Sequence, residues 1–539
     1  MVTVQISQKS TGGLDSYLQV EIAQLAAIYT LRFPGRKIRA ILSLADDFMF
    51  APPPSMVEDE VPVKAQNTGP GYLGVMEFGA SGADAPVVTI WATIPAPPNP
   101  AQWQNLASNW QPARRFSRFF ARYAPLLFEI GKYRHEMYAR ARRQSVHHWR
   151  KIFFPRSIPL APADARGDAP PAILLTMHWL EVGGAETLAL DCVHYALRAG
   201  LRVFIVADVP ALQRQAKRLE TLENVTFIRL DRYLAPREWP VYLANLIARE
   251  NIRAVHNHHC GAFYACLPHL KALFPDLVIL DSTHIIEHKD GGFPRISGVW
   301  TRFIDIHHVI SDELRSFYAK EFQRTDGVCL GRLTKPQDRL PVESRFRLQP
   351  HAKRYNISFI GRMGHQKRPF LAAEIMRGLA RWGAGQGIIF TFEIMGDGPY
   401  RDTMQAILRA AGLFGSTTFH KPGASSAAML ERSDILLLPS ANEGLALVCL
   451  EAARHGAIPV STDVGAQREL LPPDLLTDVA PRLCLRQTLG IVRRLITEPG
   501  FAATCGSALL TKYQALAAET SAEELLAGTY RRIRETADA

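Results

Sequence analysis

An alternation of short apolar runs with helix-patterned segments starts near residue 170 and starts again near residue 354. It constrains this 539-residue chain more than any other feature. Strand-like runs fall at 172–176, 202–207, 225–230, 254–256, 278–281 and 307–310, with helical pattern at 184–197, at 243–250 and after Ser311. The second round has strands at 357–360, 390–395, 434–439 and 458–462, with a helix at 369–382 and helical sequence after each later strand. Strands alternating with helices call for a parallel sheet covered on both faces. The prediction is an α/β chain with two Rossmann-like domains, 172–345 and 346–539, facing each other across a cleft. Open sheets of this kind bind ligands at the carboxyl ends of their strands. The stretch 331–353, with Pro336, Pro341 and Pro350, reads as the hinge.

The rest of the chain is less regular. Residues 1–112 offer strands at 3–6, 38–42 and 87–90, a helix at 16–31 and a stretch rich in Pro and Gly at 51–83. They are read as a small accessory α+β domain of unassigned role. A basic, aromatic segment and a proline-rich linker make up 113–171, and a charged amphipathic helix at 522–536 ends the chain. Hydrophobic content of 47% supplies material for several cores, so disorder is not the expected state. The seven cysteines are irregularly spaced with no C-x-x-C pair, which suits a reducing compartment. The first residues lack a basic start followed by an apolar stretch, and no run of about 18 apolar residues occurs. A cytoplasmic protein is expected.

The densest chemical signal is PSANEGLALVCLEAARHGAIPV, residues 439–460. Glu443 follows an apolar strand, and Gly444 lets the backbone approach a ligand. A helix then starts near Ala446. Free amides at its start and its dipole suit an anion such as a diphosphate. Glu451 lies two turns further on, and two acceptor-only carboxylates suit a polyhydroxylated ligand. Read alone, Glu443 serves equally well as a helix cap and Glu451 as a solvated helical residue. Likewise VGGAET, 182–187, is either a glycine loop near a phosphate or a plain tight turn before a helix. It is not G-x-G-x-x-G, so a dinucleotide site is not expected.

Glu443 and Glu451 form an E-x7-E motif, and its surroundings resemble the retaining glycosyltransferases of family four, the group 1 glycosyltransferases. GRMGHQKRP, 361–369, is similar to that family's G-R-x-x-x-x-K segment. GDGPY, 396–400, is similar to its strand-to-helix turn, and DVGAQREL, 463–470, to D-x-G-G-x-x-E-L with Ala466 in place of the second glycine. The resemblance covers roughly 172–480. VCLGRLTK, 328–335, departs from the family's usual segment before the linker. The resemblance implies the GT-B fold and a nucleotide-sugar donor, UDP before GDP, with no cofactor. It places the donor on Gly183, Gly184, Arg362, Lys367, Glu443, Gly444, Leu445, Ala446, Leu447 and Glu451. Arg362 and Lys367 would face the diphosphate, Glu451 the ribose and Glu443 the sugar. His284, in DSTH, would contact the transferred sugar from the opposite domain. His284, Arg362, Lys367 and Glu443 are thus the implied catalytic set, with transfer retaining the anomeric configuration. The acceptor would be lipid-linked or a saccharide, in cell-envelope or exopolysaccharide synthesis. A sugar-nucleotide epimerase or a phosphorylase on the same fold, and a non-enzymatic basic scaffold, are the rival readings.

Two further features bear on partners. Histidines crowd residues 256–308, at His256, His258, His259, His269, His284, His288, His307 and His308. No cysteine or carboxylate set completes a ligand pattern in sequence, and no D-x-D occurs. Loop or cleft lining and no metal are therefore expected. Residues 114–156 hold twelve Lys or Arg against two acids, Glu129 and Glu136, so nearly all of the chain's net charge of +11 is local. Arg115, Arg118 and Arg122 share one helical face beside Phe116, Phe119, Phe120 and Tyr123. Trp149, Phe153 and Phe154, next to Arg150 and Lys151, form a second apolar cluster. This is the composition of a helix lying on an anionic membrane, so a peripheral location on the inner face of the cell membrane is expected rather than nucleic-acid binding. Packing of the aromatics on the α/β core is the alternative.

Overall fold

The computed structural model describes residues 3–6, 15–47, 54–61, 71–82, 84–97, 114–141, 168–181, 183–288, 290–334, 346–421 and 424–538. The proline-rich linker up to residue 167 and the cluster Trp149, Arg150, Lys151, Phe153 and Phe154 lie outside them.

Near the start, β1 (Thr3–Ile6), β2 (Lys37–Leu44), β3 (Ser55–Val57), β4 (Tyr72–Gly79) and β5 (Val87–Ile94) form a mixed sheet in the order β1-β4-β2-β5-β3. The helix Asp15–Arg32 buries Leu18, Ile22, Leu25 and Tyr29 in one core with Met76, Phe78 and Ile90 of that sheet. The same core runs on through Tyr233, Tyr242 and Leu246 of the next domain. Ion pairs Arg32–Glu238 and Arg232–Glu21 flank the contact. The accessory region is therefore docked on its neighbour. Strand β4 lies at the edge of the segment read as Pro- and Gly-rich, yet it sits between β1 and β2, because Leu73, Met76 and Phe78 have a core to enter.

The second sheet holds β6 (Ala172–Met177), β7 (Arg202–Ala207), β8 (Val225–Ile228), β9 (Ile252–His258), β10 (Val278–Thr283), β11 (Ile306–Val309) and β12 (Val328–Leu330). All run parallel in the order β12-β11-β10-β9-β6-β7-β8. Every residue of β6 is buried, as expected for a central strand covered on both faces. The third sheet holds β13 (Arg354–Ile360), β14 (Ile389–Met395), β15 (Thr417–Phe419), β16 (Ile435–Leu438), β17 (Ile458–Thr462) and β18 (Leu476–Thr477). These are also parallel, in the order β15-β14-β13-β16-β17-β18. The strand order reverses between β6 and β9 in one sheet and between β13 and β16 in the other. Loops splay apart at such switch points and leave a crevice.

One helix leaves the domain to which sequence order assigned it, and another, assigned to neither, joins the C-terminal one. The last helix, Ala522–Asp538, was expected with 346–539 but packs on the helix Gly184–Arg198, with Leu526, Tyr530 and Ile533 in the core of the β6 domain. The basic helix Pro125–Ala141 packs on the helices Pro369–Gln386 and Pro481–Thr497 of the C-terminal domain. Phe128 meets Phe370 and Tyr400 edge-on there, at ring-centre distances of 5.5 and 6.5 Å. Both helices carry an apolar stripe that their own neighbours in sequence cannot cover, and burial elsewhere outweighs chain order.

Candidate active site

The loops after β13 and β16 meet at the switch point of the C-terminal sheet. Met363 N–H donates to Asp397 O, and Tyr400 N–H to Met363 O, which ties residues 361–364 to 396–400. Ala441 N–H donates to Gln366 O, and Gln366 Nε2 to Asn442 O, which ties the same loop to 441–443. Glycine is required where these backbones touch. A Cβ at Gly396, which has φ +140°, would lie 1.9 Å from Gly361 O. Gly465 has φ +57°, and a Cβ there would lie 1.9 Å from Glu443 O. The next residue, Ala466, has an ordinary φ of −83°, so a second glycine is not needed at that turn.

Within this frame Lys367 Nζ donates to Glu443 Oε1 at 2.6 Å, and Glu443 is 6% exposed. Arg362, on the same loop as Lys367, is exposed. The helix Leu447–Arg454 begins after Ala446 and carries Glu451 on its exposed side. Leu445 and Ala446 are buried. One expected donor group is already engaged, since Ala446 N–H donates to the buried Gln467 Oε1 at 3.1 Å. Ala446 is thus a packing position here and does not offer its amide to an anion.

The opposite domain closes on this site through the loop after β10. A Cβ at Gly444 would lie 1.9 Å from His284 O. His288 Nε2 donates to Ala441 O and Asn442 Nδ2 to Ile286 O, both at 2.9 Å. The His284 backbone is therefore brought to Gly444. The ring of His284 lies 4.8 Å from that of His259, and neither of its ring nitrogens has a hydrogen-bond partner. Burial, then the neighbouring His259, His308 and His256, push its pKa well below the usual histidine value. It is a neutral imidazole, able to donate from one nitrogen and accept at the other.

The glycine loop is built for itself. Gly183 is extended at φ −170°, and a Cβ there would overlap the Glu186 carboxylate, which accepts from Trp179 Nε1 at 2.7 Å. Gly184 faces open space.

His259, His284 and His288 lie in loops after strands, as expected, but the strand histidines correct the expectation of loop or cleft lining. His256, His258, His307 and His308 lie on β9 and β11, buried in the core. A chain of hydrogen bonds runs from Tyr530 Oη to His256 Nδ1 (2.5 Å), His256 Nε2 to Ser282 Oγ (2.8 Å), Ser282 Oγ to His308 Nδ1 (2.8 Å) and His308 Nε2 to Gly331 O (3.1 Å). Folding also supplies the cysteine that the sequence spacing lacked. Ligand atoms of Cys192, His256 and His258 lie within 4.8 Å of one another. Both nitrogens of His256 are already bonded and Tyr530 also bonds Cys192, whereas neither ring nitrogen of His258 has a hydrogen-bond partner.

Sequence reasoning missed the residues that clamp the site. At the hinge, buried Arg332 pairs with Glu519 (2.7 Å), Asp312 (2.7 Å) and Glu469. Glu469 in turn accepts from Asp312 N–H and Glu313 N–H. Only the departure of VCLGRLTK from the family pattern pointed there.

Residues 342–474 match the family described as glycosyl transferases group 1. The 2-deoxystreptamine N-acetyl-D-glucosaminyltransferase of Streptomyces fradiae is 32% identical over 153 residues, covering 28% of this chain and 34% of that protein. The chain spans about a third of the length of the curated relatives it matches. Among solved structures, a glycosyltransferase of Rickettsia africae superposes with a TM-score of 0.51 at 12% identity, covering 68% of this chain and 98% of that one. Anabaena HepE in complex with UDP-glucose gives a TM-score of 0.50 at 13% identity, covering 68% and 99%. The chain has the GT-B fold, with two Rossmann-like domains face to face, and over its C-terminal domain it resembles the group 1 glycosyltransferases.

Proposed function

We propose that this protein is a glycosyltransferase that moves a sugar from a nucleotide-sugar donor, UDP before GDP, to a lipid-linked or saccharide acceptor with retention at the anomeric carbon. The observation that carries the reading is the Lys367–Glu443 pair, held at the C-terminal switch point, with the backbone of His284 from the opposite domain against the adjoining Gly444. A donor diphosphate would draw Lys367 and Arg362 to itself and stabilise charge on the leaving group. Glu443 would then be released to accept from the sugar hydroxyls, with Glu451 on the ribose. The neutral imidazole of His284 would orient the sugar. In a front-face substitution the departing phosphate oxygen takes the acceptor proton, and the protein contributes positioning and charge. The relatives add support for a nucleotide-sugar donor and for sugar transfer: HepE is solved in complex with UDP-glucose, and the Streptomyces fradiae relative is a 2-deoxystreptamine N-acetyl-D-glucosaminyltransferase.

The test is a thermal-shift screen of UDP- and GDP-sugars, followed by a transfer assay in excess chelator. A ligand bound only by the native state raises Tm. A shift with one nucleotide series and undiminished transfer in chelator are expected, because Arg362 and Lys367 would face the diphosphate. Loss of activity in chelator that added metal restores would defeat the metal-independent scheme. An epimerase would instead convert its nucleotide sugar with no acceptor present.

A second reading concerns location. Among the described residues no helix is long and apolar enough to cross a membrane. Phe119, Tyr123, Leu127 and Tyr138 are 50–65% exposed on the helices Arg114–Tyr123 and Pro125–Ala141, among exposed Arg122, Arg134 and Arg140. The side chains of Arg115, Phe116 and Arg118 lie outside the described residues. Aromatics among arginines favour an anionic bilayer surface at the cytoplasmic face. Co-sedimentation with anionic vesicles at low salt, abolished by neutralising Arg115, Arg118 and Arg122, is expected. Equal sedimentation of wild type and variant would remove this reading.

A further inference from the structure

The helix Pro125–Ala141 precedes both Rossmann-like domains in the chain, yet it backs the loop 361–369 that carries Arg362 and Lys367. Its inward face presents Glu129, Tyr133 and Glu136 to that loop. Glu129 and Arg368 have no exposed side-chain surface, and their closest oxygen and nitrogen lie 3.8 Å apart. The Arg368 guanidinium also lies 5.8 Å from the centre of the Tyr133 ring, and its Nη1 donates to Val479 O at 2.6 Å. Glu136 Oε1 lies 2.5 Å from His365 Nε2.

Arg368 is the residue that makes these contacts matter. It is left-handed, φ +48° and ψ +58°, between the turn His365–Lys367 and the helix Pro369–Gln386. A residue with a Cβ is held there only when its surroundings over-determine it. Lys367 is the neighbour just before it, and its stem lies against Gly361, where a Cβ would come 3.1 Å from Lys367 Cδ. The direction of the Lys367 ammonium therefore depends on Arg368 keeping its conformation. Neither oxygen of Glu129 has a hydrogen-bond partner. A buried carboxyl so poorly satisfied is an expensive way to stabilise a helix, whereas an apolar residue would pack there without that penalty.

We propose that Glu129 and Glu136 are positioning residues for the donor loop, holding Arg368 and His365 so that Lys367 and Arg362 face the donor diphosphate. This rests on the donor-site reading above. The basic helix pair is then a strut of the donor site as well as a surface element.

The experiment compares UDP and GDP binding by calorimetry, and the donor KM and kcat, in wild type, Glu129→Gln, Glu136→Gln, Leu126→Ala and the double variant Arg362→Ala with Lys367→Ala. Leu126 packs on the same core from that helix and carries no polar group toward Arg368 or His365, so it reports on loss of helix packing. At pH 8, where the Glu129 carboxyl is ionised, both glutamine variants are expected to weaken nucleotide binding roughly three- to tenfold and to raise KM more than they lower kcat. Leu126→Ala is expected to lower Tm with nucleotide affinity unchanged. Wild-type affinity in both glutamine variants, or affinity that simply follows Tm across all single variants, overturns the inference. If Glu129→Gln does not fold, Glu136→Gln decides alone, since Glu136 is 24% exposed. Binding by wild type that the double variant retains in full defeats the donor-site reading, and the inference falls with it.

Discussion

The loops of the two Rossmann-like domains face the same cleft but are built differently. On the C-terminal side, glycines at 396, 444 and 465 allow backbones to touch, and one ion pair, Lys367–Glu443, sits where they converge. On the N-terminal side, the glycine loop serves its own Trp179–Glu186 contact, and the polar groups are imidazoles threaded through the core. The first arrangement is a cradle with charges ready for an anion. The second is a rigid wall that meets the cradle through the His284 backbone carbonyl and keeps the neutral His284 ring beside His259. A transferase needs this asymmetry if the donor is held mainly by charge and the acceptor by shape.

The comparison breaks most readily at the charges. Replacing Arg362 and Lys367 together by Ala should reduce kcat/KM by at least about a hundredfold with Tm nearly unchanged, since one such contact supplies about 2–4 kcal/mol in the transition state. Glu451→Ala should behave similarly through the ribose. Full turnover in either would place the donor elsewhere.

A glycine pair sharpens it. Gly444→Ala should open the domain contact, because its Cβ would strike His284 O, and should lower activity about tenfold or more. Gly184→Ala places its methyl in open space and should be neutral or stabilising by about 0.5 kcal/mol. Equal effects of the two changes on activity would mean that the glycine loop touches ligand after all, and that the contrast drawn here is false.

The smallest expected effect lies on the strut behind the cradle. Burial raises the Glu129 carboxyl to about 7, against the pull of Arg368 and His365, with Glu136 raising it further and Lys132 lowering it. The native state thus holds a proton that the unfolded chain gives up near the ordinary glutamate value. The stability this confers is full in acid and is lost as pH rises through about 7. Glutamine mimics the protonated acid at every pH. Denaturant titrations should therefore show Glu129→Gln gaining on wild type between pH 5 and pH 8, by about 1–3 kcal/mol. Parallel curves would mean that the carboxyl ionises without cost beside Arg368.

The sequence alone determined the two-domain parallel architecture, because strand and helix periodicity is local and is repeated over more than three hundred residues. It also singled out Glu443 and Gly444, which follow a strand end in a contiguous motif, and Lys367 through the resemblance of 361–369 to a family segment. The strand Tyr72–Gly79 was missed because turn residues around it masked its alternation. Which domain each terminal helix joins was decided only by folding. The basic helix settles on the C-terminal domain and the last helix on the N-terminal one, where each finds an apolar surface matching its stripe. The partners of Arg368 and Arg332, and the meeting of Cys192 with His256, likewise join residues far apart in the chain. No periodicity or spacing encodes such contacts. They follow from packing density and from the need to satisfy buried polar groups, which operate in three dimensions at once.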